Sequence, residues 1–194
     1  IRILNHSKDL KQLKKQRLIM TSPTGPYYSG FNYQEYYIPS SVIEAIGEMD
    51  KSLLCQNEKL KLLPLLDKIY NIVNDREEGQ LTFDEMLIDV FSLLDYNSHL
   101  RFIKVLDGLN LTENENIFYL FTCREILNDE DAVDLQYACN KIWPDTTSRF
   151  DIKRDLIKGK SNLIKQDLVK LQDGFFRSDR EILLTDKSLD LLLE

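Results

Sequence analysis

The sequence predicts a mainly α protein with short antiparallel β-wings, arranged as two winged-helix-like units joined by a helical segment. Three observations predict it. At the end of the chain, Leu168–Leu171 can form a strand, Gly174 with the polar run Arg177-Ser178-Asp179-Arg180 a turn, and Glu181–Leu184 a second strand. Thr185 or Asp186 can then cap a last helix, because a side-chain oxygen there accepts from an otherwise unpaired backbone N–H. Between residues 60 and 157 apolar side chains recur at helical spacing. The third observation is a repeat. Leu13-Lys14-Lys15-Gln16-Arg17-Leu18-Ile19 aligns with Leu163-Ile164-Lys165-Gln166-Asp167-Leu168-Val169, and Glu35-Tyr36-Tyr37-Ile38 aligns with Glu181-Ile182-Leu183-Leu184.

Taken in order, Leu10 and Leu13 mark the end of a lysine-rich helix, and Leu18-Ile19-Met20 a strand. Ser22-Pro23-Thr24-Gly25-Pro26 interrupts regular structure, since proline lacks the N–H that either ladder requires. Tyr36-Tyr37-Ile38 is the returning strand. Pro39 and Ser40-Ser41 open a helix through Val42, Ile43 and Ile46. These elements form the first unit, residues 1–50. The chain opens at Ile1 rather than Met, so the expectation is that this unit lost its opening helices with the true start.

Residues 51–112 read as a helical connector. Leu60, Leu63, Leu66 and Tyr70 share a helical spacing, with Pro64 as a kink or a late start. Glu77-Glu78-Gly79-Gln80 is a turn. Thr82 caps the next helix, with Glu85 three residues on completing a capping box and Phe83, Met86, Leu87, Val90 and Leu94 along its buried side. A short helix bearing Leu100, Ile103 and Leu106 closes at Gly108. Residues 113–194 then read as a complete second unit. Asn114 caps a helix with Ile117, Leu120, Phe121 and Leu127. Asp129 caps one with Leu135, Ala138, Cys139 and Ile142, which Pro144 stops. Thr147 or Ser148 caps a third, with Phe150, Ile152, Leu156 and Ile157 facing inward and Gly159 ending it.

The 194 residues, 43% hydrophobic and 29% charged, describe an ordinary globular chain. No apolar run approaches the ~20 residues that span a bilayer, and no signal peptide opens the sequence, so no membrane partner is expected. Cys55, Cys123 and Cys139 form no C-x-x-C pair, which suits a reducing, cytoplasmic setting. Cys123 and Cys139 fall on apolar helix sides and read as small core residues. The net charge of −7 argues against a surface that is nucleic-acid-binding throughout. Residues 147–180 nevertheless carry nine basic and five acidic side chains, and residues 1–20 six basic and one acidic.

Catalytic and cofactor patterns do not emerge. The seven glycines build neither G-x-x-x-x-G-K-[ST] nor G-x-G-x-x-G, and His6 and His99 lie too far apart in sequence for a ligand pair. Glu77-Glu78 and Asp129-Glu130-Asp131 suit solvated turns and helix N-termini. No catalytic, cofactor-binding or metal residue is therefore assigned. The sharper candidate is the third helix of the second unit, with Arg149, Lys153, Arg154 and Lys158, followed by Lys160. Arg149, Lys153 and Lys160 can line one side and Arg177 and Arg180 stand on the wing, an arrangement suited to phosphates. Asp151 and Asp155 interrupt it, and Asn and Gln, which read bases, are absent from it. A solvated face or a protein contact outweighs DNA there. Tyr27, Tyr28, Phe31 and Tyr33 form an aromatic loop that either anchors a protein partner or folds back on its own core.

Leu163 and Leu168-Val169 in the stretch NLIKQDLV, and Glu181-Ile182-Leu183-Leu184-Thr185 leading to Leu191-Leu192-Leu193, carry one resemblance. This ending resembles the helical and winged-helix region that precedes the ATPase core in bacterial AAA+ ATPases related to cell-division-cycle and vesicle-fusion ATPases, with a fainter echo at residues 10–46. The resemblance implies a non-catalytic regulatory or docking region ahead of a motor. Its partner would be another protein or the ATPase domain of the same polypeptide, with ATP and Mg bound only beyond Glu194. The rival expectation is a winged-helix transcriptional regulator whose partner is DNA.

Overall fold

The computed structural model describes residues 9–10, 13, 18–21, 36–38, 40–49, 59–128, 131–174 and 180–193. The chain divides into two compact units, residues 1–58 with 78–81 and residues 59–77 with 82–194.

In the first unit, β1 (Met20–Thr21) pairs antiparallel with β2 (Tyr36–Tyr37), and α1 (Ser40–Glu48) follows. Val42 and Ala45, three apart on α1, are buried, whereas Ile43 and Ile46 are exposed. The expected strand at 18–20 starts two residues later, and Asp9, Leu10 and Leu13 are helical as expected. The aromatic-loop residues Tyr27, Tyr28, Phe31 and Tyr33 lie outside the described residues.

The second unit is built around α5 (Glu113–Leu127). Its central run Ile117-Phe118-Tyr119-Leu120-Phe121-Thr122-Cys123 is buried on every side, the signature of a helix with no solvent face. α2 (Leu62–Glu77) packs against α3 (Phe83–Tyr96), α5 and α6 (Leu135–Ile142). α4 (Arg101–Asp107) adds Phe102, Ile103 and Leu106 to the same core. Thus residues 59–77 and 82–107 share one hydrophobic core with residues 113–192, and the expected boundary at 112/113 corresponds to no break in packing. The physical reason is α5 itself, whose all-round apolar surface cannot be covered from one side.

Pro64 sits in the first turn of α2, where its missing N–H costs nothing, so the helix starts late rather than kinking. Leu62, Leu65, Leu66, Ile69 and Val73 are its buried stripe, and Leu63, expected inside, is exposed. The Thr82 capping box on α3 is present, with the Glu85 carboxylate accepting the Thr82 N–H at 2.9 Å. α3 ends at Asn97, which is fully buried; its amide donates to Leu93 O at 2.9 Å and accepts from Leu60 N–H at 2.7 Å.

After α5 come β3 (Val133–Asp134), α6, α7 (Thr146–Ile157), α8 (Asn162–Lys165), β4 (Val169–Asp173), β5 (Arg180–Leu184) and α9 (Asp186–Leu192). The strands form an antiparallel sheet in the order β3-β5-β4. Val133, Val169, Ile182 and Leu184 are buried, while Lys170, Gln172 and Arg180 are exposed. The expected two-stranded ending is therefore present and carries a third strand, β3, too short at two residues to leave a periodic signal.

Three expected caps move. Thr112, not Asn114, caps α5, and Glu115 completes a capping box with it. Asp134 caps α6 by accepting from Tyr137 N–H; Asp129 lies outside the described residues. Asp145, not Thr147 or Ser148, caps α7 by accepting from Ser148 N–H. The Ser148 amide holds the Asp145 carboxyl below its ordinary pKa. Gly159, at φ +64°, ends α7 as expected. The Gly159 N–H reaches Leu156 O at 2.9 Å and the Lys160 N–H reaches Asp155 O at 2.8 Å, the paired bonds of a Schellman motif.

The sequence repeat extends to the hydrogen bonds. Leu18 N–H donates to Leu13 O at 2.9 Å, and Leu168 N–H donates to Leu163 O at the same length. Met20 pairs with Tyr37 and Thr21 with Tyr36; their aligned counterparts Lys170 and Leu183, and Leu171 and Ile182, pair in the same register. The helix that follows begins at Ser40 in one case and Asp186 in the other, which are aligned positions.

Candidate partner-binding groove

α7 carries two apolar stripes. At about 100° per residue, Ile152 and Leu156 share one side, and Phe150 and Ile157, seven apart, share another roughly 130° away. Leu156 is 1% exposed and seated in the core with Ile152 packed against it. Phe150 is 62% exposed and Ile157 is 52% exposed. The expectation that all four face inward is therefore corrected: one helix cannot turn both stripes to the same core.

The outer stripe floors a groove of about 490 Å³, walled by Arg149, Lys153, Arg154 and Lys158. Gln136 of α6 and Thr146 complete it, so no carboxylate lines it among the described residues. The cations are held to different degrees. Arg149 crosses to the end of α6, where its Nε donates to Trp143 O at 2.7 Å and its Nη atoms to Pro144 O and the Asn140 side chain. It satisfies carbonyls that the helix end leaves unpaired. Lys153 donates to the Gln136 side-chain oxygen, a neutral acceptor, and so keeps its whole charge. Arg154 bridges Asp151 at 2.8 Å and Asp155 at 3.2 Å and lies 5.9 Å from the centre of the Phe150 ring.

The remaining basic candidates lie elsewhere. Lys160 borders a separate cleft of about 380 Å³, together with Asp151, Asp155 and Glu115. The single row Arg149, Lys153 and Lys160 therefore does not form; only its first two members share a groove. Arg180 pairs with Asp173 across β4 and β5, which compensates its charge. Arg177 lies outside the described residues.

Cys123 and Cys139 are buried, as expected, and burial pushes both thiols up, Cys139 to about 12. Among the described residues no group of three or more His, Cys, Asp and Glu side chains is arranged to hold a metal, and His99 is exposed. No helix among the described residues is long and apolar enough to cross a membrane. The groove residues that sequence reasoning placed wrongly, Phe150 and Ile157, did leave a signal in their seven-residue spacing. Gln136 left none, because α6 meets α7 only in the fold. Comparison with protein-family models, with curated proteins and with solved structures finds no match for this chain.

Proposed function

We propose that this chain is a non-catalytic docking region, built from two winged-helix-like units, that brings partners or substrates to an AAA+ ATPase motor or restrains that motor. One observation carries the docking part of the reading: α7 keeps Phe150 and Ile157 in solvent on a helix that already has a complete core stripe. Two bulky apolar side chains framed by cations form the kind of centre that supplies most of a protein interface's binding energy. The order helix, strand, helix, helix, then the one-turn helix α8, strand, strand and a last helix supports the winged-helix part. The motor rests on the resemblance of the NLIKQDLV and EILLT stretches, and the proposal assigns ATP and magnesium to that motor rather than to these residues. A reducing, cytoplasmic location suits the two buried thiols.

The competing reading is a DNA-binding regulator that uses α7. Lys153 and Lys158 favour it, because both are groove cations without a paired carboxylate among the wall residues. The commitments of Arg149, Arg154 and Arg180 to other groups weigh against it. Two measurements separate the readings. The reading frame is expected to continue past Glu194 into a G-x-x-x-x-G-K-[ST] loop, and a stop codon at that point removes the motor. Duplex DNA affinity that falls steeply with salt, and disappears on Lys153→Glu, replaces docking with DNA binding.

A further inference from the structure

We infer that the α7 groove receives an acidic amphipathic helix from a protein partner, a deepening that rests on the docking reading above. The charge is the first argument. Arg149, Lys153, Arg154 and Lys158 stand around the groove with no carboxylate among its lining residues; Arg154 is compensated by Asp151 and Asp155 beside it, so Lys153 and Lys158 carry most of the positive charge there, in a protein whose net charge is −7. A concentration of positive charge selects a partner surface of the opposite sign.

The apolar floor is the second argument, and it separates a peptide from a nucleic acid. Phe150 and Ile157 lie seven residues apart, a rise of about 10 Å along α7. That distance matches apolar side chains at positions i and i+7 of a facing helix, the spacing by which helices dock into grooves. Phosphodiester backbones have no apolar groups to cover such a floor. Lys153 flanks the stripe on one side and Arg154 and Lys158 on the other, so Asp or Glu beside each apolar anchor would meet a cation. Lys153 offers a charge that no carboxylate pairs, since its present acceptor is the neutral Gln136 amide.

Three fluorescein-labelled peptides of about four turns test this against the whole chain. One is acidic with leucine at i and i+7; the second keeps the leucines and replaces Glu by Lys; the third keeps the Glu and replaces the leucines by Ser. Duplex DNA is the fourth probe. The acidic amphipathic peptide is expected to bind and to shift the amide resonances of α7. Phe150→Ser or Ile157→Ser is expected to weaken it about tenfold or more, and Lys153→Glu by a similar factor. Phe150 and Ile157 are exposed, so both variants are expected to keep the circular dichroism spectrum and melting temperature of the parent.

Equal binding of the Lys and Glu peptides, lost on Phe150→Ser, overturns the acidic partner and leaves the docking reading intact. Equal binding of the leucine-free peptide overturns the role of the floor. DNA binding at α7 without peptide binding overturns the inference in favour of the regulator. Absence of any binding at α7 overturns both the inference and the docking reading.

Discussion

The Glu115 carboxylate accepts the Ser161 hydroxyl at 2.7 Å, joining the first turn of α5 to the first turn of α8. Its other oxygen accepts the Thr112 N–H at 3.0 Å, and Asn162 N–H adds a third bond at 2.6 Å. One carboxylate thus serves two helix N-termini, where backbone N–H groups lack intrahelical partners and the dipoles favour negative charge. Burial alone would raise the Glu115 pKa; the bonds from Thr112, Ser161 and Asn162 outweigh it and hold the carboxyl below its ordinary value. A carboxyl depressed on folding adds stability that is complete above its unfolded value of 4.5 and is lost as pH falls through the folded value. Glu115→Ala is therefore expected to destabilise by about 2 kcal/mol at pH 7, one cap at each helix. Urea titrations at pH 7 and pH 3 check this; the difference from the parent is expected to shrink at the lower pH.

The Tyr119 hydroxyl donates to Ser188 Oγ at 2.8 Å, and Ser188 donates onward to Leu168 O at 2.7 Å, all inside the core. This relay ties α9 to the central helix and to the entrance of β4. Burial raises the Tyr119 pKa, so the phenol stays protonated and remains a donor. Tyr119→Phe, which removes one bond, is expected to cost about 1 kcal/mol, and Ser188→Ala, which removes two, about 2 kcal/mol. A double-mutant cycle by thermal unfolding should give less than the sum, because the Tyr119–Ser188 bond is lost in both changes. Additive losses would mean that the bond is not made.

The two faces of α7 predict opposite responses to the same change. Leu156→Ala opens the core and is expected to cost about 2–5 kcal/mol. Ile157→Ala removes a half-exposed side chain and is expected to stay within about 0.5 kcal/mol. Chemical denaturation of the pair reads the difference directly, and equal losses would return Ile157 to the interior.

Thiol labelling checks the interior of α5 and α6. With Cys55 replaced by serine, Ellman's reagent at pH 8 is expected to leave Cys123 and Cys139 unmodified in the native protein and to label both in guanidinium. Both are buried, with thiol pKa values raised by that burial. Prompt labelling without denaturant would contradict the packing of both helices.

Local signals in the chain were read most reliably where they are periodic or reciprocal. The Leu135, Ala138, Cys139 and Ile142 stripe, the Thr82–Glu85 box and the Gly159 helix end are all present. Misplacements have specific causes. The sequence expectation places the cap at Asn114, although Thr112 and Glu115 form the same box as Thr82 and Glu85. Phe150 and Leu156 are both expected inside because each suits a core, although their spacing puts them on different sides. α5 exceeds its expected single stripe, because a helix buried all round shows no periodicity. The Glu115–Ser161 and Tyr119–Ser188 bonds join residues 46 and 69 apart, so only the fold brings them together.

The matched strand registers carry a consequence for how this architecture can vary. Between Thr21 and Tyr36 the chain has four more residues than between Leu171 and Ile182, yet the ladders keep phase and the next helix starts at the aligned position. Alignment of each strand pair is thus fixed by the paired residues themselves, at either length of intervening chain. The intervening sequences, one rich in tyrosine and the other bearing Arg177, are accordingly where the two copies differ in length and chemistry while sharing one register.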